Sequence, residues 1–253
     1  DNYTSSIATI ICKVVDATNN SCEAFTNLNL VVMALPGSNS NPTQMELCND
    51  SGFDYFDLTS REIEMAGSTP INTINFRYYT ELTDALTNGN TNRITTPSNF
   101  LNTTINFQKI YVRLNSRTNI DSETGVACFK ILELDLYVRP YPVNYLLNEP
   151  YTICIDQLNN ITYPVEIKTQ LNSTDYTFQW YNGHDAVAGN EIIGQTGTSF
   201  TTSTVGQYSV VVTNISNAAN CSSTFNLSTQ NSIVPNSVTI NPNELIAFGT
   251  DNT

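Results

Sequence analysis

The stretch FQKIYVRLNSRTNIDSETGVACFKILELDLYVRPYP, residues 107–142, carries the pattern on which the fold turns. After Cys128, the apolar residues Leu132, Leu134, Leu136 and Val138 alternate with Glu133, Asp135 and Tyr137. A period of two over this length is the mark of a strand with one buried face. Before the cysteine stand a β-branched and aromatic run and a polar loop, and after the second run comes proline, so the stretch reads as a β-hairpin. The same order recurs in IATIICKVVDATNNSCEAFTNLNLVVMALP (7–36) and in GQYSVVVTNISNAANCSSTFNLSTQNSIVP (206–235). One hairpin written three times implies serial modules, each closed by its last hairpin.

The expected organisation follows. Residues 1–42 are the C-terminal hairpin of an incomplete preceding sandwich, 46–139 and 150–235 are β-sandwich modules, and 236–253 lead into a following module. The segments RPYPVNYLLNEP (139–150) and VPNSVTINPNE (234–244) are short linkers stiffened by proline, which fixes φ and removes a donor. In the third unit TDYTFQWYNG alternates Tyr176, Phe178 and Trp180 with polar neighbours, which places Trp180 on a central strand. Tyr208 follows Gly206 at the start of a penultimate strand, as in the tyrosine corner of immunoglobulin-like sandwiches. A helical pattern occurs only in TELTDALTNGN (80–90), and it ends in a turn-forming Asn-Gly. The fold class is all-β, a tandem of immunoglobulin-like β-sandwich modules.

Charge and composition narrow the partners. The 253 residues carry a net charge of −13 with only 10 Lys and Arg, and no more than two of them stand close together. Nucleic acid and anionic membrane surfaces need a positive footprint, so neither is expected as a partner. No apolar run is long enough to span a bilayer, so no membrane insertion is expected. Six cysteines, Cys12, Cys22, Cys48, Cys128, Cys154 and Cys221, stand without a C-x-x-C pair and with a single histidine, His184. Ordinary zinc sites need more than this, and widely spaced cysteines in an acidic, amide-rich chain read as disulfides of an oxidising compartment. The repeats suggest pairing Cys48 with Cys128 and Cys154 with Cys221, tying each module's first strand to its last hairpin. Cys12 and Cys22 either bridge their own hairpin or remain as buried thiols. Several N-x-S/T triplets, Asn102 and Asn214 among them, are read as products of an Asn, Ser and Thr-rich composition.

The pattern LCNDSGFDYFDLTS (47–60), followed by INFRYYTELTDALTNGN (74–90), a KIYVRL strand and a cysteine hairpin, resembles the repeat modules of large cell-surface proteins of gliding Bacteroidota. Those proteins are cargo of the type IX secretion system and end in a type B sorting domain, which this sequence lacks. The resemblance covers about residues 46–235. It implies export to the cell surface and a stalk, display or adhesion role in gliding or attachment. The implied partners are the outer-membrane secretion machinery or a surface polysaccharide.

Related modules carry a denser acidic run after the cysteine, so Asp50 and Asp54 are the candidates for a structural calcium site; no other cofactor is expected. Calcium takes six to eight oxygens and this segment offers fewer. The competing reading is a turn at Asp50-Ser51-Gly52 followed by a strand that buries Phe56 and Leu58. No catalytic residues are expected. His184-Asp185 reads as a loop pair, and Asp54, Asp57, Glu62 and Glu64 could serve glycoside hydrolysis only if two of them shared a cleft. The alternative function is a carbohydrate-binding or accessory module of a secreted polysaccharide-degrading enzyme, with Tyr78, Tyr79, Tyr111 and Tyr137 as an aromatic platform.

Overall fold

A computed structural model describes residues 7–18, 22–31, 33–38, 40–121 and 125–233. The expected linker 234–244 and lead-in 236–253 lie outside the described residues. The chain divides between Arg139 and Pro140 into two compact units, and the fold is all-β, in tandem immunoglobulin-like sandwiches.

All three expected hairpins are present. The first joins β1 (Ile7–Val15) to β2 (Glu23–Val31), a two-stranded ladder that leaves Ile11, Val14 and Phe25 exposed. Next in the chain come the short strands β3 (Met45–Cys48), β4 (Tyr55–Phe56), β5 (Ile74–Tyr79), β6 (Arg93–Ile94) and β7 (Phe100–Leu101). The long second hairpin pairs β8 (Phe107–Ile120) with β9 (Ala127–Arg139). These strands make one sheet in the order β3-β9-β8-β5-β6, with β4 and β7 paired separately.

Alternation sorts the first unit's side chains. Ile74 and Tyr78 of β5, Val112 and Leu114 of β8, and Leu132 and Leu134 of β9 are buried in one cluster. The residues that cover this face come from the 48–66 stretch: Phe56, Leu58 and, on the one-turn helix α1 (Glu62–Ala66), Met65. Five residues are too few to show a helical period, and α1 was not expected. The expected helical segment is α2 (Leu82–Thr87), ended by Asn88 at φ +57, a left-handed conformation asparagine tolerates. Arg113, buried and directly opposite Arg77 across β5 and β8, donates from Nη1 to the carbonyls of Ala85 and Leu86 at 2.8 Å each, so a guanidinium satisfies the end of α2.

The second unit begins with β10 (Tyr151–Ile155), β11 (Ile161–Tyr163), β12 (Val165–Lys168) and β13 (Tyr176–Asn182). It continues with β14 (Ser199–Thr202), and β15 (Gln207–Asn214) and β16 (Ser222–Ile233) form the third hairpin. A five-stranded sheet, β11-β10-β16-β15-β13, is joined by the β12-β14 pair. Their side chains meet around Trp180, which is fully buried and donates from Nε1 to the carbonyl of Gly197 at 2.9 Å. Phe200 packs against both Trp180 and Tyr208. The Tyr208 hydroxyl donates to the carbonyl of Thr204 at 2.9 Å, the tyrosine corner read from the sequence.

In both expected modules, 46–139 and 150–235, the first strand, β3 or β10, runs parallel to the last. Cys48 of β3 stands opposite Arg139 of β9, and Cys154 of β10 stands opposite Ser232 of β16. The first strand of each module is thus tied to its last hairpin, by backbone hydrogen bonds.

Candidate functional site

Cys48 and Cys221 are disulfide-bonded, whereas Cys12, Cys22, Cys128 and Cys154 are thiols. This corrects the expected pairs Cys48–Cys128 and Cys154–Cys221, and the parallel ladders supply the reason. Cys128 lies eleven residues before Arg139, the register partner of Cys48. At about 3.3 Å per residue that is about 36 Å along the strand, where a disulfide needs Cα atoms within about 7 Å. The same offset of eleven residues separates Cys221 from Ser232, the register partner of Cys154. Cys12 faces Thr26 across its hairpin, and both Cys12 and Cys22 are exposed, so neither the bridge nor the buried thiol holds there.

Each bonded cysteine sits at a definite end of its own unit. Cys48 is level with Arg139, where the chain leaves the first unit, and Asn49 N–H donates to the Arg139 carbonyl at 2.9 Å. Beside it Arg139 forks onto the Glu46 carboxylate from two nitrogens at 3.3 Å each, with its guanidinium carbon 4.1 Å from the Tyr137 ring centre. Cys221 is buried just before β16, which runs on from it in the direction of β10. It therefore lies toward the end at which the chain enters the second unit.

The stretch after Cys48 is held by local hydrogen bonds. Gly52 at φ +74 makes the turn, and a Cβ there would lie 2.5 Å from Asn106 Oδ1, so only glycine fits. Asn102, buried, accepts from Asp54 N–H at 2.7 Å and donates to the carbonyls of Gly52 and Thr104. Asp54 Oδ1 accepts from Tyr55 N–H. The expected burial of Phe56 and Leu58 is observed, but the strand stops at Phe56, because Asp57 caps a 3₁₀ turn by accepting from Thr59 N–H. Among the described residues, no group of three or more His, Cys, Asp or Glu is placed to hold a metal ion, so Asp50 and Asp54 gain no third acidic ligand.

The other candidates are likewise engaged in the fold. Glu62 accepts from the Tyr78 hydroxyl at 2.8 Å and Glu64 accepts from Thr43. Asp185 Oδ1 accepts from Asn226 and not from His184. Tyr78 and Tyr79 are buried, which removes half of the expected aromatic platform, and Tyr137 packs against Phe107 with the rings tilted by 39°. Absent from the sequence reading is a cluster of basic residues: register sets Arg77 opposite Arg113, and with Arg117 of the same strand as Arg113 they line one cavity of about 580 Å³ on the first unit.

Residues 44–142 match the family described as the Flavobacterium inter-domain disulphide bond domain. The match opens at β3 and closes just past β9, so it takes in Cys48 and the Arg139 end of the unit. No curated protein matches the chain. Among solved structures the chain is similar to the N-terminal four Ig domains of Dscam1 isoform 6.9, at 13% identity over 88% of this chain and 54% of that one, with a TM-score of 0.30. It is also similar to a SusE-like surface located polysaccharide binding protein from Bacteroides thetaiotaomicron, at 11% identity, 91% and 44% coverage and a TM-score of 0.28. A third is mouse cadherin-23 EC22–24, at 11% identity, 91% and 76% coverage and a TM-score of 0.23. The chain spans about half the length of the first two.

Proposed function

We propose that the chain is a non-catalytic pair of modules of a bacterial cell-surface protein, with a Cys48–Cys221 disulfide stapling the joint between its two units. The observation that carries this reading is the division of the six cysteines into two that are bonded and four that are thiols. With four excluded, Cys48 and Cys221 are left for each other, one at the exit end of the first unit and the other toward the entry end of the second. The family matched by residues 44–142 is described by an inter-domain disulphide, which supports the same pairing. Disulfides persist in oxidising compartments, so the chain belongs outside the cytoplasm. A bond across a short linker containing Pro140 and Pro142 limits bending between modules that would otherwise move independently. That is the property a stalk or display segment needs.

The resemblance to gliding Bacteroidota surface proteins extends the proposal to type IX secretion cargo serving attachment or gliding. Treating intact cells that make the protein with a membrane-impermeant biotin ester should label it. Protection until the cells are lysed would overturn surface display.

A further inference from the structure

Arg77 and Arg113 stand directly opposite each other on antiparallel strands. Like charges in that position destabilise a sheet. Ion pairs among the described residues engage Lys13, Arg61, Lys109, Arg139 and Lys168, and none engages Arg77, Arg113 or Arg117. Three of the chain's ten basic residues therefore share one cavity, with no Asp or Glu among the described residues of its lining, in a protein of net charge −13.

The three arginines play unequal parts. Arg113 is committed to the fold: Nη1 holds the end of α2, Nε donates to Asn115 Oδ1 at 2.8 Å, and its guanidinium carbon lies 3.3 Å from the Phe129 ring centre. Burial lowers its proton affinity, Tyr79 opposes the shift, and the Arg77 charge adds to it. Arg77 donates from Nη1 to Asn88 Oδ1, but its Nε is buried with no hydrogen-bond partner. A buried donor left unpaired is costly unless a ligand satisfies it. Arg117 is exposed at the same cavity. The remaining polar residues described in the lining are neutral, among them the amides of Asn75, Asn88 and Asn115.

We propose that this cavity is a binding site for an acidic sugar, in which Arg77 and Arg117 take the oxyanion and the three asparagine amides take ring hydroxyls. Guanidinium forks match planar or tetrahedral oxyanions, and amides both donate to and accept from hydroxyls. The volume is within the range of small-ligand pockets and exceeds what a bare ion needs. The oxyanion can be a uronic acid carboxylate or a sulfate ester, which share this chemistry. The site does not depend on where the chain is displayed.

The test is an NMR titration of the whole chain with glucuronate, glucose 6-sulfate, glucose, acetate and a short neutral peptide with a free C-terminus. Shifts of the Asn75, Asn88 and Asn115 side-chain amides with glucuronate or glucose 6-sulfate, absent with glucose, are expected, and the tighter of the two names the oxyanion. Binding should weaken as NaCl is raised. Arg117→Gln and Arg77→Gln should each weaken it about tenfold or more while amide shifts elsewhere stay unchanged. Arg113 is left in place because it caps α2. No shift with either acidic sugar, equal binding of glucose, acetate or peptide binding as tight as the sugars, or an affinity unchanged in both variants would each overturn the site.

Discussion

The two units share a frame and fill it differently. Each aligns a short cysteine-bearing strand, β3 or β10, parallel to its last strand, with that cysteine eleven register positions beyond the cysteine of the closing hairpin. The second unit fills that frame with an apolar sandwich around Trp180, Phe178, Val210 and Leu227, braced by neutral polar bonds: the Tyr208 corner, Trp180 Nε1 to Gly197, Ser209 to Gly183 and Thr229 to Thr204. The first unit has its apolar cluster on one face of the sheet, while α2 is tied by polar bonds from Arg113, Arg77 and Tyr79. One topology thus tolerates two ways of closing. The first unit gathers three arginines around one cavity, none of them in an ion pair among the described residues.

The sharpest way to break this contrast is Trp180→Ala, which should cost about 3–5 kcal/mol by emptying the centre of the second core. Hydrogen exchange should show the loss in β13, β15 and β16 with β8 and β9 unchanged; equal loss in both would mean the units unfold as one. Arg113→Met leaves the Ala85 and Leu86 carbonyls without their donor and should destabilise the first unit by about 3 kcal/mol. A change within experimental error in urea titrations would show that α2 does not depend on that cap.

The first unit should also lose stability in alkali. Burial first, then the hydrogen bond to Glu62, pushes the Tyr78 phenol well above its ordinary range. The folded state keeps a proton that the unfolded chain releases above about pH 10. Tyr78 therefore contributes fully below that pH, and stability falls above it by about 1.4 kcal/mol per pH unit. Tyr78→Phe should flatten this part of the slope, and identical slopes in the two proteins would refute it. The smallest effect is Tyr208→Phe, about 1 kcal/mol and confined to the second unit, because one hydroxyl bonding Thr202 and Thr204 is lost while the ring stays packed.

The hairpins, Trp180, the tyrosine corner, α2 and the burial of Phe56 and Leu58 were legible because each is written locally, in alternation or in turn residues. The direction of the first strands was not. β3 and β10 have four and five residues, and an apolar pattern reads the same for parallel and antiparallel pairing. The cysteine partners suggested by the repeats left that direction out of account, and the parallel ladder holds Cys48 at Arg139, far from Cys128. The arginine cluster was illegible for a related reason: Arg77 and Arg113 meet through the β5–β8 register, and no spacing in the chain announces it.

Peptide mapping of the non-reduced protein, alkylated before digestion, tests the stapled joint most directly. The expected result is one cystine peptide, joining Cys48 to Cys221, with Cys12, Cys22, Cys128 and Cys154 all alkylated. Cys48 linked to Cys128, Cys221 linked to Cys154, or six alkylated cysteines would contradict it.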